Sequence, residues 1–167
     1  MAIDYTVGGP TSNSYVSLAE AEAYFSDRMH SSAWYDLSTS DREKLLITSS
    51  SMLDWYVSWK GTKATQDQAM DWPRVGVITS DGPIPSDVIP AQVKVAVYEL
   101  SLSSAKKDRS ADGSLDGILE ARAGSLLIKT DDGVYNSKPS TIPQKIWKIL
   151  YGLTIKGSSG VVRLVRA

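Results

Sequence analysis

The segment STSDREKLLITSSSMLDWYVSW, residues 38–59, decides the fold class. Ser40 is followed three residues later by Glu43, which is the pattern of a capping box at the start of an α-helix. Beyond it, side chains recurring at helical spacing predict the face that packs into the core; this face comprises Leu45, Leu46, Ser49, Met52, Leu53 and Tyr56. The serines of this helix are small enough to let a second helix approach closely.

A helix is also predicted on the N-terminal side of this segment, in SLAEAEAYFSDRM. Ser17 and Glu20 form a further capping-box pattern. Leu18, Ala21 and Phe25 follow at helical spacing. The segment therefore predicts an amphipathic helix with its own core face.

Two helices are predicted on the C-terminal side. In IPAQVKVAVYELSLSSAKK, Pro90 suits a first turn and the helix is expected to end at about Lys107; its apolar face comprises Val93, Ala96, Val97 and Leu100. In TIPQKIWKILYGL, a helix is expected to start near Pro143, with Lys145 and Lys148 off its apolar face. That face comprises Ile146, Trp147, Leu150 and Tyr151.

Two stretches between the helices lack helical spacing. Residues 60–85 predict either a long ordered connection or a loop with a short turn of helix. ILEARAGSLLIKTDDGVY predicts irregular β structure with a turn at Asp132 and Gly133.

The expected fold is therefore mainly α, a small bundle of roughly three to four helices with a minor β element and an extended C-terminal arm. We expect a helical domain over residues 1–156, then a flexible joint and docking arm over residues 157–167.

Charge is divided unevenly along the chain. Residues 1–133 hold 12 basic and all 19 acidic residues, whereas residues 134–167 hold six basic residues and no acid. The C-terminal fifth is thus a basic arm on an acidic body. This asymmetry is typical of a protein that meets nucleic acid or an acidic protein surface, including the body of a neighbouring copy; a solvated helix face followed by a tail accounts for it equally well.

Catalytic patterns are missing from the sequence. It contains no cysteine, and its single histidine, His30, has neither a second histidine nor a thiol to act with, so a capping or surface role is expected for it. The spacing of Asp112, Asp116, Asp131 and Asp132 does not fit a calcium loop and favours turns. We expect no enzyme activity, cofactor or metal. No export signal or membrane-spanning apolar run is found, so we expect no membrane contact.

The segment AMDWPRVGV, residues 69–77, combines two side chains of high binding potential, Trp72 and Arg74, around a proline. In one interpretation Trp72 is a buried anchor that holds the long connection onto the helices, with Arg74 over an aromatic face or paired with an acid such as Asp71. In the other, Trp72 stacks on bases and Arg74 grips phosphates, with Trp55 and Trp59 nearby in sequence.

A resemblance to a known family rests on the order of these elements. SYVSLAEAEAYFSDR, LDWYVSWKG, MDWPRVGV, IPSDVIPAQVKVAVYEL and the terminal VVRLVR resemble, in that order, the tailed-phage family labelled DnaT-like single-stranded DNA-binding protein. The most specific part is the combination of Trp59, Gly61, Gln68, Trp72, Pro73, Arg74 and Gly76. Asp71 departs from the apolar or small residue expected before the tryptophan.

Members of this family resemble head-to-tail adaptors of the phage neck, also called head completion or connector proteins. The resemblance implies a helical domain that forms a ring, usually of twelve copies, between the portal of the DNA-filled head and the tail or stopper protein. It implies no catalytic residues, DNA that passes through the lumen without specific binding, and a place at the head–tail junction of the virion after assembly in the host cytoplasm. The expected docking strip is Val161, Val162, Arg163, Leu164, Val165 and Arg166. The alternative is a replication accessory protein that binds single-stranded DNA through Trp72 and Arg74.

Overall fold

The computed structural model describes residues 2–107, 109, 120–123, 126–129 and 141–155, with the backbone alone in the two short central ranges. Within these residues lie five helices, namely α1 (Leu18–Ser26), α2 (Ser32–Tyr35), α3 (Thr39–Tyr56), α4 (Ala91–Lys106) and α5 (Gln144–Ile149). Six short strands form three antiparallel pairs, namely β1 (Thr62–Lys63) with β2 (Arg74–Val75), β3 (Ile78–Thr79) with β4 (Gly82–Pro83), and β5 (Glu120–Ala123) with β6 (Leu126–Lys129). The mainly α fold with minor β structure is therefore confirmed.

The core lies between the two long helices, α3 and α4, and the shorter helices pack around them. α4 contacts α2, α3 and α5, and α1 contacts α3. Where α3 meets α4, the Ser101 hydroxyl lies 2.9 Å from the Ser49 hydroxyl, and both serines are fully buried. Because serine side chains are small and satisfy each other here, the helices approach closely, as the sequence predicts.

The first helix starts where its capping box predicts. The Ser17 side chain accepts from the Glu20 N–H, and the Glu20 carboxylate accepts from the Ser17 N–H at 2.8 Å. The face of α1 also agrees, since Ala21 and Phe25 are buried. The start of α3 differs from the prediction at Ser40: Ser38 is the N-cap, and its side chain accepts from the Asp41 N–H at 3.2 Å.

The predicted face of α4 is confirmed, and the faces of α3 and α5 are wrong at their last aromatic residue. α4 buries Val93, Ala96, Val97 and Leu100, and Pro90 is its N-cap. Tyr56 and Tyr151 were both expected on apolar faces, yet they are 51% and 76% exposed. α3 ends at Tyr56 and α5 ends before Leu150, so each tyrosine lies where the backbone leaves the helical path.

Residues 57–90 form the ordered connection that the sequence allows, and their hairpins are the β1–β2 and β3–β4 pairs. β5 pairs with β6 from Glu120 opposite Lys129 to Ala123 opposite Leu126, so this pair closes before the predicted turn. The predicted turn at Asp132 and Gly133, the calcium-type aspartates Asp112, Asp116, Asp131 and Asp132, and the arm over residues 157–167 lie outside the described residues.

Candidate interaction surface

The connection between α3 and α4 is held onto the core by two tryptophans. Trp59 is 4% exposed and Trp72 is 1% exposed. Their rings meet edge to face, with centroids 5.6 Å apart and planes at 84°. The peptide bond between Trp72 and Pro73 is cis. Because both rings lie inside the fold, neither presents a face on which a nucleic acid base can stack.

Arg74 is used within the same connection. Its Nε donates to the Lys60 carbonyl at 2.7 Å, and its terminal nitrogens donate to the carbonyls of Gly61 at 2.7 Å and Asp71 at 3.1 Å. The side chain is only 11% exposed. A guanidinium that already donates to three carbonyls binds its own loop and has little capacity left for a phosphate.

The remaining signature residues hold the backbone of the connection. Gly61 has φ of +69°, and a Cβ there would collide with the Val75 carbonyl oxygen and lie 2.9 Å from a Val77 methyl. The buried Gln68 side chain accepts from the Thr65 N–H at 3.0 Å and donates to the Met70 carbonyl at 2.8 Å. Each of these positions therefore needs its residue type for local packing.

Several large apolar side chains remain exposed on the described surface. Trp55 is 72% exposed, and the exposed fractions of Met29, Tyr151 and Ile155 are 79%, 76% and 57%. Helical spacing does not separate Trp55 from the core face, because it follows the buried Met52 by three residues. The exposed Trp55 is therefore a feature that the sequence pattern could not reveal.

Trp55 lies at the edge of a shallow cleft between α3 and the loops on either side of it. The cleft has a volume of about 390 Å³ and is lined by Ser12, Asn13, Ser51, Asp54, Trp55, Ala69, Met70 and Asp71. Two of these residues are acidic and none is basic. We name this the Trp55 cleft.

The two aspartates of the Trp55 cleft are joined by hydrogen bonds. The Tyr15 hydroxyl donates to Asp54, and the Asp71 N–H donates to the other Asp54 oxygen at 3.1 Å. Burial raises the pKa of Asp54 to about 6, and burial followed by the charge of Asp54 raises the pKa of Tyr15 well above its ordinary value. The Asp71 carboxylate lies 3.4 Å from the Lys63 ammonium and is 26% exposed. The cleft floor is thus polar, ordered and acidic.

A second cleft, of about 180 Å³, lies where α4 and α5 meet. At its floor the Glu99 carboxylate, 6% exposed, receives the Nε of Arg28 at 2.7 Å, the Nζ of Lys145 at 2.7 Å and the Tyr24 hydroxyl at 2.7 Å. Burial alone would raise the pKa of Glu99, but the hydrogen bonds from these donors have the larger effect, and the pKa is lowered to about 2. Because Tyr24, Glu99 and Lys145 lie on three different helices, this cluster ties α1, α4 and α5 together.

The other candidate groups give no catalytic arrangement. His30 is exposed, with φ of +59°, in the turn that follows α1. Among the described residues, no group of three or more His, Asp or Glu side chains is placed to hold a metal ion. Within the same residues, no helix has the length and apolar character needed to cross a membrane.

The predicted docking strip of residues 161–166 lies outside the described residues, so the structure places only Trp72 and Arg74 of the predicted site. Both belong to the connection between α3 and α4, and neither lines the Trp55 cleft. A comparison with models of protein families matches residues 1–167 to the family described as "Putative DnaT-like ssDNA binding protein". No curated protein and no solved structure shows a significant match to the chain. Because the family model spans the whole chain, the protein belongs to the DnaT-like ssDNA-binding protein family.

Proposed function

We propose that this protein is a structural adaptor of a tailed-phage neck, forming a ring that joins the portal of the DNA-filled head to the tail. The observation that carries the proposal is the use of Trp72 and Arg74, the most specific residues of the family signature, to hold a loop inside the fold. Signature residues that stabilise the fold of a small domain are expected in a structural subunit of an assembly. This use of the residues does not suit a site that grips a ligand.

The distribution of charge and apolar surface also supports an assembly. Six basic and no acidic residues occupy positions 134–167, whereas the rest of the chain is acidic. Trp55, Tyr151 and Ile155 are more than half exposed, and exposed apolar side chains on a small domain are typical of protein contact surfaces. In a ring, each contact is repeated, so individually weak contacts suffice.

In this proposal the partners are other copies of the chain, in a ring usually of twelve, the portal, and a tail or stopper protein. DNA passes through the lumen without specific binding. The protein resides at the head–tail junction of the virion after assembly in the host cytoplasm, and it has no catalytic role.

Deletion of residues 157–167 tests the docking role of the arm. Because these residues follow the last described contacts of the domain, at Thr154 and Ile155, the shortened protein should keep its circular dichroism spectrum and melting temperature. It should fail to co-sediment with portal-bearing heads, whereas the full-length protein should co-sediment with them. Normal attachment of the shortened, folded protein would contradict the role of the arm.

A second candidate function, single-stranded DNA binding in replication, is favoured by the family description. Since Trp72 is buried, a stacking role would fall to exposed rings, with Tyr151 beside Lys148 in the basic fifth of the chain as the best combination. Titration of an oligonucleotide at several salt concentrations, followed by tryptophan fluorescence, separates the two functions. Tight binding with a steep negative salt slope, lost in Tyr151→Ala and Lys148→Ala, would favour this candidate over the adaptor.

A further inference from the structure

The Trp55 cleft combines an exposed indole with an acidic floor. Trp55 is 72% exposed at the end of α3, beside Asp54 and Asp71. Asp4 lies at the same rim, because its N–H donates to the Asn13 side chain at 2.8 Å, and Asn13 lines the cleft. Two cations lie near the Asp71 carboxylate: the Lys63 ammonium at 3.4 Å, with its side chain 39% exposed, and the Arg74 guanidinium at 4.0 Å. Three carboxylates against one ammonium and one guanidinium leave the cleft region with a net negative charge.

The C-terminal strip has the opposite charge and an apolar character. Residues 156–167 contain Lys156, Arg163 and Arg166 and no acid, and four aliphatic residues stand around the arginines. In an extended strip, alternate side chains point to opposite sides, so each side of residues 161–166 presents two aliphatic groups and one guanidinium. An aromatic wall with carboxylates beside it matches such a side, because indole packs against aliphatic groups and carboxylates pair with guanidinium.

The point at which the described chain ends allows the strip to reach a neighbour. The Ile155 N–H donates to the Ser58 carbonyl at 2.8 Å, and Trp59 pairs with Thr154. Ser58 follows Trp55 by three residues. The 12 residues after Ile155 span up to about 40 Å when extended, at roughly 3.3 Å per residue. That reach is comparable to the diameter of a small domain.

We propose that the Trp55 cleft of one copy binds the basic strip Val161–Arg166 of a second copy. Trp55 packs against the aliphatic side chains, and the carboxylates of the cleft receive the arginines. This inference rests on the proposed ring and names the contact between its subunits. A strip that binds the cleft of the next copy makes a head-to-tail contact, and a head-to-tail contact closes into a ring when the rotation between copies allows it.

The test uses two variants with complementary defects. Trp55→Ala keeps the strip and lacks the indole of the cleft, and Arg163→Ala with Arg166→Ala keeps the cleft and lacks the guanidinium groups. Each variant alone should associate at least about tenfold more weakly than the wild type in sedimentation velocity. An equimolar mixture should form a 1:1 heterodimer, because one wild-type cleft and one wild-type strip remain to meet. Native mass spectrometry identifies this heterodimer by the different masses of the two variants.

Two controls separate folding from docking. Met29→Ala removes a side chain that is 79% exposed and lies outside the cleft, and it should assemble as the wild type does. Asp71→Asn repeats the cleft defect through a carboxylate, so the inference does not depend on the tryptophan variant alone. Circular dichroism establishes that each variant is folded.

The outcomes distinguish this inference from the proposed function. A wild-type ring together with variants that assemble equally well would overturn the inference and leave the adaptor standing. A mixture of the two variants that stays monomeric would overturn it too. A wild type that does not self-associate, with or without portal, would overturn both proposals.

Discussion

Tyr15 and Asp54 share a hydrogen bond although 39 residues separate them, and the same carboxyl group accepts from the N–H of Asp71. The segment before α1, the last turn of α3 and the loop that carries Trp72 therefore meet at one ionisable group. The Tyr15 hydroxyl also lies 3.2 Å from the Asp71 nitrogen. Among the residues that the structure describes, no cation is bonded to Asp54, so neutral donors hold its carboxyl group in a partly buried position.

This arrangement predicts that stability depends on pH through Asp54. The pKa of Asp54 is about 6 in the fold, against 3.8 as the ordinary value, so the folded protein binds more protons between these pH values. Stability from this group is therefore present at low pH and is lost as pH rises through about 6, by an amount on the order of 2 kcal/mol. Urea unfolding at pH 4 to 7.5 should show this trend in wild type relative to Asp54→Asn. Parallel pH profiles for the two proteins would contradict it.

Glu99 predicts a dependence of stability on pH with the opposite sign to that of Asp54. Its pKa is lowered to about 2 from 4.5, so its stabilisation is present above pH 4.5 and is lost as pH falls through about 2. Glu99→Gln leaves Arg28 and Lys145 without their carboxylate and should lower the free energy of unfolding by about 3 kcal/mol at pH 7. Lys44→Ala is the matched control, because its pair with Asp41 is exposed and should contribute at most about 0.5 kcal/mol. Equal melting temperatures for the two variants would show that the Glu99 cluster does not stabilise the contact of α1, α4 and α5.

Gly61 is predicted to tolerate no side chain. Gly61→Ala combines a positive φ with a collision against the Val75 carbonyl, so we expect a loss of more than about 2 kcal/mol. Gly152→Ala has a comparable φ of +94° and nothing within 4 Å of the added Cβ, so it should lose only about 1 kcal/mol from backbone strain. Thermal unfolding of both variants measures the difference between the two stability losses. Equal losses would show that the backbone around Gly61 moves to accommodate the added Cβ.

Truncation of Trp72 should lower the free energy of unfolding much more than truncation of Trp55. Trp72→Ala empties a buried site and is expected to cost about 3–5 kcal/mol. Trp55→Ala removes a ring that is 72% exposed and is expected to cost less than about 1 kcal/mol in the isolated chain. Chemical denaturation of both variants at a concentration where the wild type is monomeric provides the test. A small loss for Trp72→Ala would revive a surface role for it.

The sequence predicts a helix start correctly where the local pattern offers a single capping pair. Ser17 and Glu20 cap α1 as predicted, since the exchange of bonds involves only their own turn. At α3 the capping-box pattern predicts Ser40 with Glu43, but neighbouring serines can cap a helix equally well, and the local pattern does not distinguish them. The structure uses Ser38.

Long-range contacts were not readable. Arg74 binds the carbonyls of Lys60 and Gly61, 14 and 13 residues away, and no periodicity encodes this. Tyr56 and Tyr151 obey helical spacing, yet the helices end beside them and leave both rings in solvent.

End-on electron microscopy of the protein mixed with its portal tests the adaptor proposal most directly. The proposal predicts a closed ring of copies seated on the portal, with a central opening for DNA. Particles in which the portal carries no added ring, at protein concentrations well above those in the infected cell, would contradict it.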